Sequence, residues 1–336
     1  MGRALDGWLL AQALRDPGGT VALGADEWTA LLAIGRAEQM IGTLAWRLNG
    51  IDVPPSVARI LADARASAEQ GRVAALWEAE VARRVLAPLG VRMVLLKGTA
   101  FVAAGLQAGR GRSIGDLDIL VPRAALDAVE AALLEAGWEW VKPDPYDDAY
   151  YRQWMHELPP LIHRDRDRMI DVHHTILPLT ARITPDAGAL LADAVELKPG
   201  LWALSPNDML VHAAAHLFAD GDLAGGMRNL WDVHCLVAEF GADGLAGRAA
   251  QHGLSHEVAR ALRLAAALYG EGARLTPVDR LYLYRLTARD GWGRATRPIT
   301  RMAFYIRSHW LRMPPAMLAR HLWTKWRKGG AGPASG

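Results

Sequence analysis

The spacing of apolar residues changes twice along the chain, and this change restricts the fold more than any other feature. From Met1 to about Pro88, and again after Ser205, apolar residues recur every three or four positions, which is typical of amphipathic helices. Between these regions the chain has short β-type runs: VRMVLL, DLDILV, WEWV, LPPLIH and MIDVHH. One helical stretch, PRAALDAVEAALLEAG, follows the second run. The pattern predicts a small mixed sheet between two helical regions.

We therefore expect an α+β fold in four parts. They are a helical N-terminal region at 1–90, an α/β domain at 91–200, a helical C-terminal region at 201–328 and a disordered end at 329–336. Ser205 and Asp208 resemble a capping box at the start of the C-terminal helices. With 51% hydrophobic residues, a chain of 336 residues can bury a substantial core.

The single cysteine, Cys235, excludes an internal disulfide, and we expect it to be a buried core thiol. The first residues lack the pattern of a secretory signal. Each apolar segment is interrupted before it reaches the roughly 18 residues that cross a bilayer. We therefore expect a cytoplasmic protein without a transmembrane span.

Basic residues are concentrated at the C-terminal end, where residues 291–336 contain no aspartate or glutamate. The basic residues there are Arg294, Arg297, Arg301, Arg307, Arg312, Arg320, Lys325, Arg327 and Lys328. Trp310, Trp323 and Trp326 are interleaved with them. Residues 291–328 suit an anionic membrane surface, which would make the protein peripheral, or nucleic acid. The alternative, which we favour, is an amphipathic helix whose tryptophans pack on the helical region.

Paired carboxylates mark the start of the second β-type run. In a strand, Asp116 and Asp118 project from the same face, where their like charges repel. A divalent cation with oxygen ligands compensates such repulsion. Asp171 lies in the run MIDVHH, and if the two strands are neighbours the three carboxylates converge. Such a cluster can hold two Mg²⁺ or Mn²⁺ ions about 3.5 to 4 Å apart; a solvated strand edge is the alternative for the pair alone.

The first β-type run ends in Lys97-Gly98-Thr99. A glycine there lets the backbone approach a phosphate, and the threonine hydroxyl can donate to a phosphate oxygen. Arg112 offers forked donors to phosphate. Ordinary surface charge is the alternative for Lys97 and Arg112.

The order LLKGTA, RSIGDLDILV and MIDVHH resembles the DNA polymerase β-type nucleotidyltransferase superfamily. More narrowly, it resembles a bacterial group described as uncharacterised nucleotidyltransferase family proteins, from the first helices through at least Asp232. The resemblance implies a polymerase β-like mixed-sheet domain that transfers a nucleoside monophosphate from an NTP to a hydroxyl acceptor. Thr99 stands where the superfamily has serine, and the gap from Thr99 to Asp116 is longer than usual.

The resemblance also implies roles for individual residues. Asp116, Asp118 and Asp171 would be catalytic and bind metal, and Lys97, Gly98, Thr99 and Arg112 would bind the nucleotide. His173 would orient a carboxylate. Apart from the resemblance, we expect His212, His216 and Asp232 to pair between helices or line the nucleotide cleft, with a metal site as the alternative. His212 and His216 have the i,i+4 spacing of zinc ligands but lack the adjacent glutamate of a zincin.

Two other functions remain open from the sequence. One is a catalytically silent nucleotide-binding regulatory module, and the other is a nucleic-acid or membrane-surface binding protein with a basic C-terminal segment.

If like-charge repulsion dominates at the carboxylate pair, replacing Asp116 and Asp118 by asparagine should leave the thermal transition nearly unchanged or raised.

Overall fold

A computed structural model describes residues 4–141 and 145–312; residues 313–328 and the predicted disordered end at 329–336 lie outside this range. The helices are α1 (Gly7–Arg15), α2 (Ala25–Ala37), α3 (Ile41–Arg47), α4 (Pro55–Leu86), α5 (Lys97–Ala103), α6 (Leu126–Glu135), α7 (Pro145–Trp154), α8 (Ala187–Ala192), α9 (Pro206–Ala215), α10 (Gly226–Phe240), α11 (Leu245–Gln251), α12 (Ser255–Tyr269), α13 (Pro277–Leu286) and α14 (Pro298–Arg312). The strands are β1 (Val94–Leu95), β2 (Asp116–Leu120), β3 (Trp138–Trp140), β4 (Leu161–His163), β5 (Met169–His173), β6 (Val195–Lys198) and β7 (Leu201–Ala203).

The strands form one seven-stranded mixed sheet in the order β3-β4-β5-β2-β1-β7-β6. β2 runs parallel to β5, and β1 runs parallel to β7; the other neighbours are antiparallel. The predicted mixed sheet between helical regions is therefore confirmed. The parallel β2–β5 pair brings DLDILV beside MIDVHH.

Two parts of the sheet differ from the prediction. The run VRMVLL yields only the two paired residues of β1, because the chain turns into α5 at Lys97. The hairpin of β6 and β7 was not predicted, and it extends the sheet beyond β1. Gly200, at the turn of this hairpin, has a φ of +75°, which favours glycine.

The 32-residue helix α4 links the N-terminal helices to the sheet. Proline suits its first turn, because the missing N–H would have no partner there. A short 3₁₀ turn follows α4, and Gly90, with a φ of +63°, ends it. Along its length α4 packs against α3, α5, α6 and β2.

One contiguous apolar core runs through the molecule from Leu9 in α1 to Phe304 in α14. The two helical regions and the sheet therefore bury apolar surface against one another. Ser205 caps α9 by accepting a hydrogen bond from the backbone N–H of Asp208, which is one half of the predicted capping box. Oδ2 of Asp208 accepts a hydrogen bond from the Ser205 hydroxyl. In the described part of the chain, every helix is too short or too polar to cross a membrane.

The described part of the basic C-terminal segment includes α14, which lies on the surface. Phe304 and Ser308 are buried on one side, whereas Ile299 is 85% and Ile306 58% exposed. Trp310 is half exposed, and the guanidinium of Arg182 lies 4.5 Å from the centre of its ring. Trp323, Trp326 and the basic residues from Arg320 onward lie outside the described residues. Binding of this segment to a membrane or nucleic acid stays a prediction.

The N-terminal helices meet the loop before β2 through a direct backbone contact. Gly111 has a φ of +65°, and a Cβ added there would overlap the carbonyl of Gly42 at the start of α3. A Cβ on Gly42 would in turn lie 2.5 Å from the carbonyl oxygen of Gly111. Glycine is required at both positions for this approach.

Gly111→Ala should therefore destabilise the protein by roughly 3 kcal/mol, because the backbones of α3 and the loop must separate. Gly105→Ala is the matched control, since Gly105 has a similar φ of +72° but no atom within 4 Å of an added Cβ. The control should cost only about 1 kcal/mol. Urea unfolding of both variants measures the difference; equal losses would contradict the proposed contact.

Candidate active site

Three carboxylates converge where β2 and β5 run side by side. In the parallel register, Asp118 on β2 lies opposite Asp171 on β5. Asp116 projects from the same face as Asp118, two residues earlier. One oxygen from each of the three carboxylates lies within 4.8 Å of the others. The predicted proximity of Asp171 to the pair is confirmed.

Asp118 is buried and held by two donors at one oxygen. The ammonium of Lys97 donates to its Oδ1 at 2.6 Å, and Nε2 of His173 lies 3.0 Å from the same atom. Burial alone would raise the pKa of Asp118, but Lys97 and His173 outweigh it and hold that pKa below its ordinary value. Asp118 is therefore ionised, and Oδ2 remains for a further ligand.

The other two carboxyl groups have the opposite electrostatics. Burial and the negative charges of Glu157 and Asp118 raise the pKa of Asp171 to about 7. Desolvation and the negative charge of Asp118 also raise the pKa of Asp116. Oδ1 of Asp171 is buried without a hydrogen-bond partner. A divalent cation would satisfy this oxygen and offset the repulsion, so the three residues fit a metal site.

Asp116 and Asp118 line a cleft of about 940 Å³, and Asp171 lies beside them. One wall is the loop 111–115 before β2, and the other is the cleft-facing side of α4. Four of the α4 residues on this wall are small, namely Ala64, Ser67, Ala68 and Gly71; Ile60 and Asp63 of α4 also line it. A cleft of this volume accommodates a ligand the size of a nucleoside triphosphate.

The predicted phosphate-binding segment opens helix α5. Lys97 has a φ of +49°, unusual for a residue with a side chain, and its ammonium reaches Asp118. Gly98 lines the cleft, and a Cβ there would lie 2.6 Å from Nε of Arg112. Thr99 is 1% exposed, and its hydroxyl is buried without a partner. Nucleotide binding by these residues stays a prediction.

Arg112 connects the cleft to the C-terminal helices. Its guanidinium lines the cleft, lies 5.5 Å from the ring centre of Phe101 and pairs with the carboxylate of Asp232 on α10. Burial raises the pKa of Asp232, while the positive charges of Arg112 and Arg228 oppose the shift. Arg112 would have to share or exchange this partner to bind phosphate, which stays a prediction.

His212 and His216 face a separate cavity of about 60 Å³ behind Lys97. Lys97, Arg112 and Asp232 also line this cavity. Burial, followed by the charge of Lys97, lowers the pKa of His216 to about 3 and that of His212 well below its usual value. Both imidazoles are therefore neutral. Within the described residues, neither belongs to a cluster of three metal-ligand side chains.

Sequence reasoning did not single out His156 and Glu157. Both follow α7, and Oε2 of Glu157 lies 3.3 Å from Nδ1 of His173. The available signal was the His-Glu pair directly before LPPLIH, but nothing in the spacing places it beside His173.

Cys235 is buried as expected, and burial raises the pKa of its thiol to about 12.

A comparison with protein-family models matches residues 24–270 to a family described as an uncharacterised nucleotidyltransferase. This match includes the sheet, the three carboxylates and the C-terminal helices through α12. None of the curated proteins matches the chain.

Proposed function

The chain belongs to this uncharacterised nucleotidyltransferase family, and on that premise we propose that it transfers a nucleoside monophosphate from an NTP to a hydroxyl acceptor, releasing pyrophosphate. The observation that carries the proposal is the convergence of Asp116, Asp118 and Asp171, two of which line the cleft. Nucleotidyl transfer needs a concentrated positive charge at the phosphates, and clustered carboxylates bind the ions that supply it.

We assign Asp116 and Asp118 to metal binding. Mg²⁺ or Mn²⁺, two ions in this proposal, would neutralise phosphate charge and activate the attacking oxygen. Asp118 supports this role because Lys97 and His173 keep it ionised while both engage Oδ1. Asp171 would complete the site and help deprotonate the acceptor hydroxyl, because its carboxylate lies beside those of Asp116 and Asp118.

We assign the NTP to the cleft beside these carboxylates. Gly98, Arg112 and the loop before β2 supply the wall next to Asp116. Arg112 would contact phosphate with its forked donors, and Lys97 and Thr99 complete the predicted nucleotide-binding set. We also infer a polymerase β-like arrangement, supported by the paired carboxylates on β2 and the single carboxylate on the parallel β5.

The experiment is an incubation of the full-length protein with each NTP, labelled in turn at the α- and the γ-phosphate, with Mg²⁺ or Mn²⁺. The proposal expects pyrophosphate release and transfer of the α-label, including self-labelling, to a hydroxyl acceptor. Transfer of the γ-label would identify a kinase instead. Metal-dependent NTP binding without pyrophosphate release, across a panel of hydroxyl acceptors, would favour the catalytically silent module and contradict transfer.

A further inference from the structure

A second group of metal-ligand side chains lies next to the carboxylates but outside their site. His156 and Glu157 follow α7, and His173 is the last residue of β5. Glu157 and His173 form an antiparallel bridge, and the backbone N–H of His174 donates to the carbonyl of His156 at 2.9 Å. The main chain therefore fixes the three positions relative to one another.

The donor atoms of this group are close together, and both histidines are buried. One imidazole nitrogen from each histidine and one oxygen of Glu157 lie within 4.8 Å of one another. Nδ1 of His173 lies 3.3 Å, and Nε2 of His156 3.9 Å, from Oε2 of Glu157. His156 is 8% exposed and His173 2% exposed.

Both buried histidines also have a nitrogen with no hydrogen-bond partner. These atoms are Nδ1 of His156 and Nδ1 of His173. Leaving a buried polar atom without a partner costs about 1 to 3 kcal/mol, so such atoms usually indicate a missing ligand. In His173 the unpartnered nitrogen is the one that lies beside Glu157, whereas in His156 the nitrogen nearest Glu157 is Nε2. Nδ1 of His173 is therefore the atom that indicates a ligand in this group.

We propose that His156, Glu157 and His173 bind a zinc ion. Two imidazole nitrogens and one carboxylate oxygen are a typical zinc donor set, with water as the fourth ligand. Magnesium prefers oxygen donors alone and suits the three aspartates instead. The two neighbouring sites would therefore select different metals by donor chemistry.

His173 joins the two sites. Its Nε2 contacts Asp118, so Nδ1 is the nitrogen that faces the zinc. Zinc at Nδ1 places the proton on Nε2, where it is donated to Asp118, the carboxylate–histidine–metal arrangement common in zinc proteins. The zinc thus makes His173 a positioning residue for Asp118. The proposed zinc binding does not depend on the proposed transfer reaction. Only the role of His173 in positioning Asp118 for that reaction rests on the proposed function.

The test begins with full-length protein that has been stripped with a chelator and reloaded with Zn²⁺ in the presence of excess Mg²⁺. After dialysis, elemental analysis should find one zinc per chain. His156→Asn and Glu157→Gln should each weaken zinc affinity at least tenfold. The Asp116→Asn/Asp171→Asn double variant and His216→Asn are the controls, and both should retain zinc.

X-ray absorption at the zinc edge of the wild-type protein keeps the test independent of variant folding. It should show two imidazole ligands together with oxygen donors. Zinc that is not retained, lacks imidazole ligands or is lost only in His216→Asn would overturn the proposal. Zinc-free wild-type protein should also bind Mg²⁺-NTP at least tenfold more weakly than the zinc-loaded form. If zinc binds as expected but no NTP is turned over, the zinc site stands and the proposed function fails.

Discussion

Replacing both Asp116 and Asp118 by asparagine should abolish metal-dependent NTP binding and reduce nucleotidyl transfer by roughly 10³-fold or more. The expected loss follows from the loss of charged oxygen ligands at the floor of the cleft. Isothermal titration with NTP in the presence and absence of Mg²⁺, and pyrophosphate release, measure the two effects. Unaltered Mg²⁺-dependent binding in the double variant would remove the metal assignment.

The single variants should differ in stability. Asp116→Asn relieves repulsion from Asp118 and should leave the thermal transition unchanged or higher. Asp118→Asn deprives Lys97 and His173 of their buried anion, and we expect it to cost about 2 kcal/mol. In the double variant these two effects oppose each other, and the sequence-based expectation of an unchanged or raised transition stays a prediction. Thermal melts of both variants without metal measure whether the two changes in stability have opposite signs.

Asp171→Asn should stabilise the metal-free protein while removing activity. The pKa of Asp171 is about 7 when folded, above its ordinary 3.8. The folded state therefore holds a proton that the unfolded state releases, so wild-type stability declines as pH rises from about 4 to 7. The variant should lack this decline and be more stable above pH 7 by on the order of 2 kcal/mol, allowing for solvent screening.

Urea unfolding at several pH values, with chelator present, measures this difference. Asp165→Asn is the matched control, because Asp165 is an exposed carboxylate on the turn before β5. That control should follow the wild-type pH dependence. A parallel pH dependence in Asp171→Asn and wild type would show that Asp171 is not the group responsible.

The positions of the carboxylates were predictable because they depend on local rules. Alternation with period two places Asp116 and Asp118 on one face of a strand, and MIDVHH repeats the same pattern around Asp171. The hypothesis that the two strands are neighbours came from their carboxylates, which converge if the strands lie side by side. The structure confirms it in the register of Asp118 with Asp171.

The partners of these carboxylates were not predictable, because they come from distant parts of the chain. Lys97 reaches Asp118 through an unusual left-handed backbone conformation that a sequence pattern does not indicate. Arg112 meets Asp232 across the interface with α10. Such contacts depend on tertiary packing rather than on spacing.

The prediction of strand lengths was wrong for a different reason. A short apolar run such as VRMVLL predicts burial but does not distinguish a long strand from a short one that turns into a helix. The hairpin of β6 and β7 carried a signal that went unused, the Pro199-Gly200 dipeptide between two β-type runs.

The small residues on the cleft-facing side of α4 line the proposed binding cleft at a distance in sequence from the carboxylates. Because α3, α5 and α6 hold this helix along its length, and a Cβ added at Gly71 meets no atom within 4 Å, its backbone can stay in place when the side chain at that position changes. None of them belongs to the carboxylate cluster. If the cleft binds the substrates as proposed, divergence in substrate choice can proceed by changes on α4, without passing through proteins that have lost the proposed metal ligands.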